Sequence, residues 1–145
     1  MSHEILVLNG PNLNLLGHRQ PDIYGHETLA DVERLCDPIA QKHGFSTDWR
    51  QSNHEGQLLD WIHDARTTTS GIIINAGAYT HTSIALHDAF AAYDGKLVEV
   101  HISDIHAREA FRHHSYITPQ ADEVIIGKGI NGYLLALEWL GKELS

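Results

Sequence analysis

Five short runs rich in branched aliphatic residues recur along this chain: EILVLN (4–9), FSTDWRQ (45–51), GIIINA (71–76), LVEVHI (97–102) and EVIIG (123–127). The intervals between them are long enough for helices, and that alternation reads as βαβ units, because parallel neighbours need a crossover that a helix supplies. The near-continuous apolar character of ILVL, III and VII suits strands covered by helices on both faces.

The intervening segments carry helix signals. In TLADVERLCDPIAQKHG, Thr28 can cap the start, Leu29, Val32, Leu35, Cys36 and Ile39 form one stripe, and Gly44 can end the helix. Pro38 sits inside that segment and removes a backbone donor. EGQLLDWIHDAR turns Leu58, Leu59 and Ile62 inward, THTSIALHDAFAAY opens on a threonine cap, and NGYLLALEWLGKEL buries Leu134, Leu137 and Leu140 or their neighbours. With right-handed crossovers, these elements predict an α/β fold: a three-layer flavodoxin-like sandwich with a five-stranded parallel sheet in the order 2-1-3-4-5. A chain of 145 residues without linker, repeat or low-complexity segment is read as one catalytic domain, 1–145.

Composition narrows the partners. No apolar run approaches the ~20 residues of a membrane span, and MSHEILVLNG carries neither a basic leader nor an extended apolar region, so a soluble, cytoplasmic protein is expected. Cys36 is the single cysteine and lies on an apolar helix stripe, which suits a buried small residue in a reducing compartment. A formal charge of −9 argues against a nucleic-acid surface and makes each cation matter. Arg19, Arg108 and Arg112 lie in or beside the motif-rich segments, whereas no lysine does. The 12 histidines show no HExxH pattern, and no metal site is expected.

In open α/β sheets, ligands bind outside the carboxyl ends of the strands. The unusual polar residues cluster there: Asn9, Asn12, Arg19 and Tyr24 after strand one, Gln51, Ser52 and Asn53 after strand two, Asn75 and AYTHTS after strand three, and His101, Ser103 and Asp104 after strand four. Glu99 and His101 are two apart in a strand and share a face, so the carboxylate can hold the imidazole protonated and make it a general acid. His81 and Asp88, seven apart in a segment read as one helix, would share a face two turns apart, with room for a polyol between them or between two subunits. Arg108 and Arg112, four apart, would also share a face and grip a carboxylate or hydroxyls. Within NGPNLNLLGHRQPDIYG (9–25), Gly17, Pro21 and Gly25 mark turns or hinges of a stretch long enough to close as a lid. A cation beside a loop tyrosine stabilises phenolate, so Tyr24 next to Arg19 can act as a base.

The segments NGPNLNLLGHRQPDIYG, QSNHEGQLLDWIH, INAGAYTHTSIALHDA, EVHIS, REAFRHHS and GYLLAL, in that order and spacing, are similar to the type II 3-dehydroquinate dehydratase family over essentially the whole chain. The resemblance implies dehydration of 3-dehydroquinate to 3-dehydroshikimate in the shikimate pathway, without a cofactor, by anti elimination through an enolate and with no Schiff base. It further implies that Tyr24 removes the proton with Arg19 sustaining its phenolate, and that His101, held by Glu99, protonates the departing hydroxyl. Asn12 would position a water on the enolate oxygen. Asn75 and the backbone of Ile102 and Ser103 would take the substrate carboxylate, His81, Asp88 and Arg112 the hydroxyls, and Arg108 would help shape the lid. A dodecamer built from trimers is implied, with Asp88 reaching a neighbouring subunit's site.

Three positions depart from the expected pattern: Gln20 and Ala110, where glutamates are usual, and Asp104, where asparagine is usual. An added negative charge at Asp104 is the departure expected to matter, if it lies near a carboxylate site. A flavin- or nucleotide-binding module of the same fold is the rival from another class, though the loop after strand one lacks a GxGxxG or Ser/Thr-rich phosphate cradle. A catalytically silent relative kept for assembly is the other.

Overall fold

The computed structural model describes residues 3–145. Its strands are β1 (His3–Asn9), β2 (Phe45–Gln51), β3 (Gly71–Asn75), β4 (Lys96–His101) and β5 (Glu123–Ile126). They form one parallel sheet in the order β2-β1-β3-β4-β5, as expected. The helices are α1 (Pro21–Tyr24), α2 (Leu29–Lys42), α3 (Glu55–Ala65), α4 (Ile84–Ala91) and α5 (Asn131–Glu143), joined by several short 3-10 turns.

Period-two alternation divides the core. Ile5, Val7, Ile73, Val98 and Val100 face one way and pack with Val32, Cys36 and Ala40 of α2 and Tyr133, Ala136, Leu137 and Leu140 of α5. Leu6, Leu8, Ile72, Ile74 and Leu97 face the other way, onto Leu58 and Ile62 of α3 and Leu86, Ala89 and Phe90 of α4. Each buried side chain of this size contributes about 1.5–3 kcal/mol, so both faces must be covered for the central strands to be stable. This parity also sends Glu99 and His101 to the α3/α4 side, and Asn9 and Asn75 to the α5 side. Among the described residues, no helix is long and apolar enough to cross a membrane.

Local signals act largely as expected. Thr28 and Asp31 form a capping box at the start of α2, which ends at Lys42 before Gly44 at φ 72°. Pro38 lies inside α2. Cys36 is buried, and that burial, with Asp37 and Glu33 nearby, pushes its thiol up to about 12, so it behaves as an apolar side chain.

Three expectations fail, while that for α5 holds. Leu35 is 49% exposed; the inward stripe of α2 runs through Ala40 instead. In α5, Leu137 and Leu140 are buried as expected, and Tyr133, the neighbour of the half-buried Leu134, joins them with Ala136. The third helical segment is not continuous: a 3-10 turn, Gly77–His81, precedes α4, and the cap is Ser83 rather than a threonine, its hydroxyl accepting from Leu86 N at 2.9 Å. Finally, β5 is half-buried throughout, because an edge strand has neighbours on one side only.

Candidate active site

The carboxyl ends of β1, β3 and β4 open into a small cavity, partly open to solvent. It is lined by Arg19, Tyr24, Asn75, His81, His101, Ile102, Ser103, Arg108 and Arg112, with Pro11, Leu13, Gly77, Ala78 and Ile105 as its less polar wall. Three guanidinium groups thus converge in a chain of net charge −9. Such a concentration of cations in a concave site attracts an anion.

Tyr24 ends α1, a single turn started by Pro21 and closed by Gly25 at φ 87°. Arg108 Nη1 donates to Tyr24 Oη at 2.8 Å and to Ser103 Oγ at 3.3 Å. The Arg19 guanidinium carbon stands 5.1 Å from the Tyr24 ring centroid, and that of Arg108 5.4 Å. Two cations therefore lie against the phenol, and its direct hydrogen bond comes from Arg108, a residue expected to grip a carboxylate or hydroxyls with Arg112 and to help shape the lid.

His101 Nε2 is hydrogen-bonded to Glu99 Oε2, with both side chains almost fully buried. Two hydroxyls complete the carboxylate's shell: Ser115 Oγ donates to Oε2 and Thr118 Oγ1 to Oε1, each at 2.6 Å. Burial raises the pKa of Glu99, but the bonds from His101, Ser115 and Thr118 and the histidine's charge outweigh it and hold the carboxyl below its ordinary value. His81 differs: burial pushes its pKa down, the bond between Nδ1 and the His114 carbonyl (2.8 Å) opposes this, and the His101 and Arg112 charges add to the lowering.

Tight backbone places the floor. A Cβ on Gly10 would lie 2.2 Å from the Ala76 carbonyl oxygen, so only glycine lets the β1 and β3 loops approach this closely. Gly77, at φ 59°, directs its N–H back to Asn75 Oδ1 at 3.2 Å.

Two expectations are corrected. Asp88 is exposed on α4 and outside the lining, and it shares no helix face with His81, because the extended backbone at Ser83 resets the helical phase. Arg108 and Arg112 are not on one helix either: Arg108 follows the 3-10 turn Ile105–Ala107, and Arg112 closes the turn Ala110–Arg112, yet both reach the cavity. Asn12 is exposed and outside the lining; its left-handed backbone (φ 70°) starts a 3-10 turn, and its N–H is held by Asn53 Oδ1 at 3.0 Å. Ser115 and Thr118 were not foreseen as partners of Glu99, since hydroxyls in a loop carry no spacing signal.

Residues 3–141 match the family model described as "Dehydroquinase class II". A 3-dehydroquinate dehydratase of Rhodopseudomonas palustris (strain BisA53) is 61% identical, covering 100% of this chain and 97% of its own length. Another, of Variovorax paradoxus (strain S110), is 59% identical over 92% of this chain and 95% of its own. The crystal structure of a type II dehydroquinase from Propionibacterium acnes superposes with a TM-score of 0.93 at 42% identity, covering 98% of each chain.

Proposed function

The chain belongs to the class II dehydroquinase family, and from that membership and the cavity's geometry we propose a cofactor-free anti elimination, through an enolate, at a site within one catalytic domain, 1–145. As a member it is a hydro-lyase that converts 3-dehydroquinate to 3-dehydroshikimate and water in the shikimate pathway. The single observation that carries the mechanism is the Tyr24 hydroxyl, hydrogen-bonded by one guanidinium and flanked by another. Tyr24, as phenolate, takes a proton from the carbon beside the ketone, and the electron pair moves onto the carbonyl oxygen as an enolate. The enolate then reforms the ketone and expels the hydroxyl from the carboxylate-bearing carbon. His101 protonates that hydroxyl, so it leaves as water, and the Glu99 carboxylate stabilises the imidazolium before transfer. Asn75 and the backbone of Ile102 and Ser103 hold the substrate carboxylate, and His81 and Arg112 its remaining hydroxyls. Asn12 is assigned a water on the enolate oxygen, an electrostatic contribution of a kind that is often large.

Absence of a Schiff base is supported by the lining, which includes none of Lys42, Lys96, Lys128 or Lys142. Incubation with 3-dehydroquinate should produce the ultraviolet absorbance of a conjugated enone, undiminished by borohydride treatment in the presence of substrate. No absorbance change would remove the activity; inactivation by borohydride would replace the enolate route with an imine.

A cytoplasmic homo-oligomer, a dodecamer built from trimers, is part of the same proposal. Asp88 is exposed and outside its own cavity, which supports a role toward a neighbouring subunit's site. Light scattering should return the mass of about twelve chains, and a monomeric mass with full activity would reject this role.

Asp104 bears on specificity less than its charge suggests. Its Oδ1 accepts from His106 N at 3.0 Å as a cap, its side chain is 56% exposed, and it does not line the cavity. Asparagine caps equally well. Asp104→Asn is therefore expected to leave kcat/KM unchanged or slightly improved; a large loss would mean the carboxylate contributes to the site.

A further inference from the structure

Tyr133 of the GYLLAL segment is fully buried on α5, yet its hydroxyl reaches the carboxyl ends of β1 and β3, where Asn9 and Asn75 are register partners. Four hydrogen bonds run through it in one direction. Gly77 N–H donates to Asn75 Oδ1 (3.2 Å), Asn75 Nδ2 to Tyr133 Oη (3.1 Å), Tyr133 Oη to Asn9 Oδ1 (2.6 Å), and Asn9 Nδ2 to the Arg50 carbonyl (3.3 Å). A backbone N–H can only donate and a backbone carbonyl can only accept, so both ends of this chain are fixed. The two amides between them have no freedom to flip, and the phenol is the member that both accepts and donates.

The consequence falls on the cavity, which Asn75 lines. With Oδ1 turned to Gly77 and one Nδ2 hydrogen given to Tyr133, the donor Asn75 has left for a ligand is its second Nδ2 hydrogen. An N–H attracts a carboxylate; an outward Oδ1 would repel one. We propose that Tyr133 is a positioning residue for substrate: it locks the Asn75 amide with its donor toward the substrate carboxylate and so helps set the site's preference for an anionic group there. This rests on the reading of Asn75 as a carboxylate-binding residue.

Tyr133→Phe removes only the hydroxyl and leaves the Asn75 amide held at one end. KM for 3-dehydroquinate should rise roughly tenfold or more, with kcat little changed, the pattern of lost binding common to ground and transition states. Asn75→Ala should raise KM as well, and adding Tyr133→Phe to it should cost nothing further, because the hydroxyl acts through that amide. An equal effect of Tyr133→Phe with and without Asn75, or none at all, overturns the inference while leaving the role of Asn75 intact. An unchanged KM in Asn75→Ala removes the role of Asn75 and this inference with it. If Tyr133→Phe is too unstable to purify, Asn9→Leu/Tyr133→Phe takes its place in the same cycle, since removing a stranded acceptor with its donor is milder than leaving it unpaired.

Discussion

Tyr24→Phe is expected to lower kcat by about a thousandfold or more, with the fold intact and KM near its original value, because the change removes the proton acceptor and little else. Tyr24 is only half-buried, so losing its oxygen disturbs the core little. The geometry extends the expectation to its neighbours. Arg108→Ala should fall nearly as far, since it deletes the one direct donor to the phenol oxygen among the described residues, and Arg19→Ala should lose several orders of magnitude through the cation on the ring face. Arg108→Lys should recover only part of the rate: an ammonium keeps the charge but cannot donate to Tyr24 and Ser103 from one planar group. Rates are read from enone absorbance under saturating substrate. Near-normal turnover in Tyr24→Phe would require a different base.

His101→Ala should depress kcat by a factor on the order of 10²–10⁴ and also weaken the fold, and the two effects have different pH signatures. In the intact protein, Glu99 is held below its ordinary value of 4.5. Its contribution to stability is therefore present above that value and is lost as pH falls through the folded one. Without His101 the carboxylate keeps the Ser115 and Thr118 hydroxyls but loses its cation, leaving a buried charge at a cost of about 3 kcal/mol at neutral pH. Protonating the carboxyl removes that stranded charge, so the stability gap between variant and original should narrow as pH drops toward 4. Denaturant melts across the pH range measure the gap, and a constant gap would show that the histidine contributes packing alone. A substrate analogue with fluoride as leaving group, which needs less protonation, should lose less rate in the variant than 3-dehydroquinate does.

Much of this architecture was legible in the chain. Runs such as ILVL and III carry their own evidence of double-sided burial, because a strand facing water on one side must alternate. The Thr28 cap and the Glu99–His101 pair were equally readable, since both depend on spacing within one regular element. Where regularity breaks, spacing misleads. The separation of His81 and Asp88 meant one helix face only until Ser83 started a new helix; Arg108 and Arg112 converge through two 3-10 turns that no fixed period describes.

The sequence by itself determined the sheet, its order, and the set of polar residues gathered at the strand ends, because periodicity and caps are local and survive without knowledge of the rest. Only the tertiary structure decided which of those residues touch. It put Arg108 rather than Arg19 on the phenol oxygen, brought Ser115 and Thr118 onto a carboxylate from β4, and joined Asn9 and Asn75 through a tyrosine more than fifty residues downstream of either. These are contacts between side chains brought together only by packing. Hydrogen bonds depend on distances of ångströms and on direction, and one-dimensional spacing encodes neither for groups on separate elements.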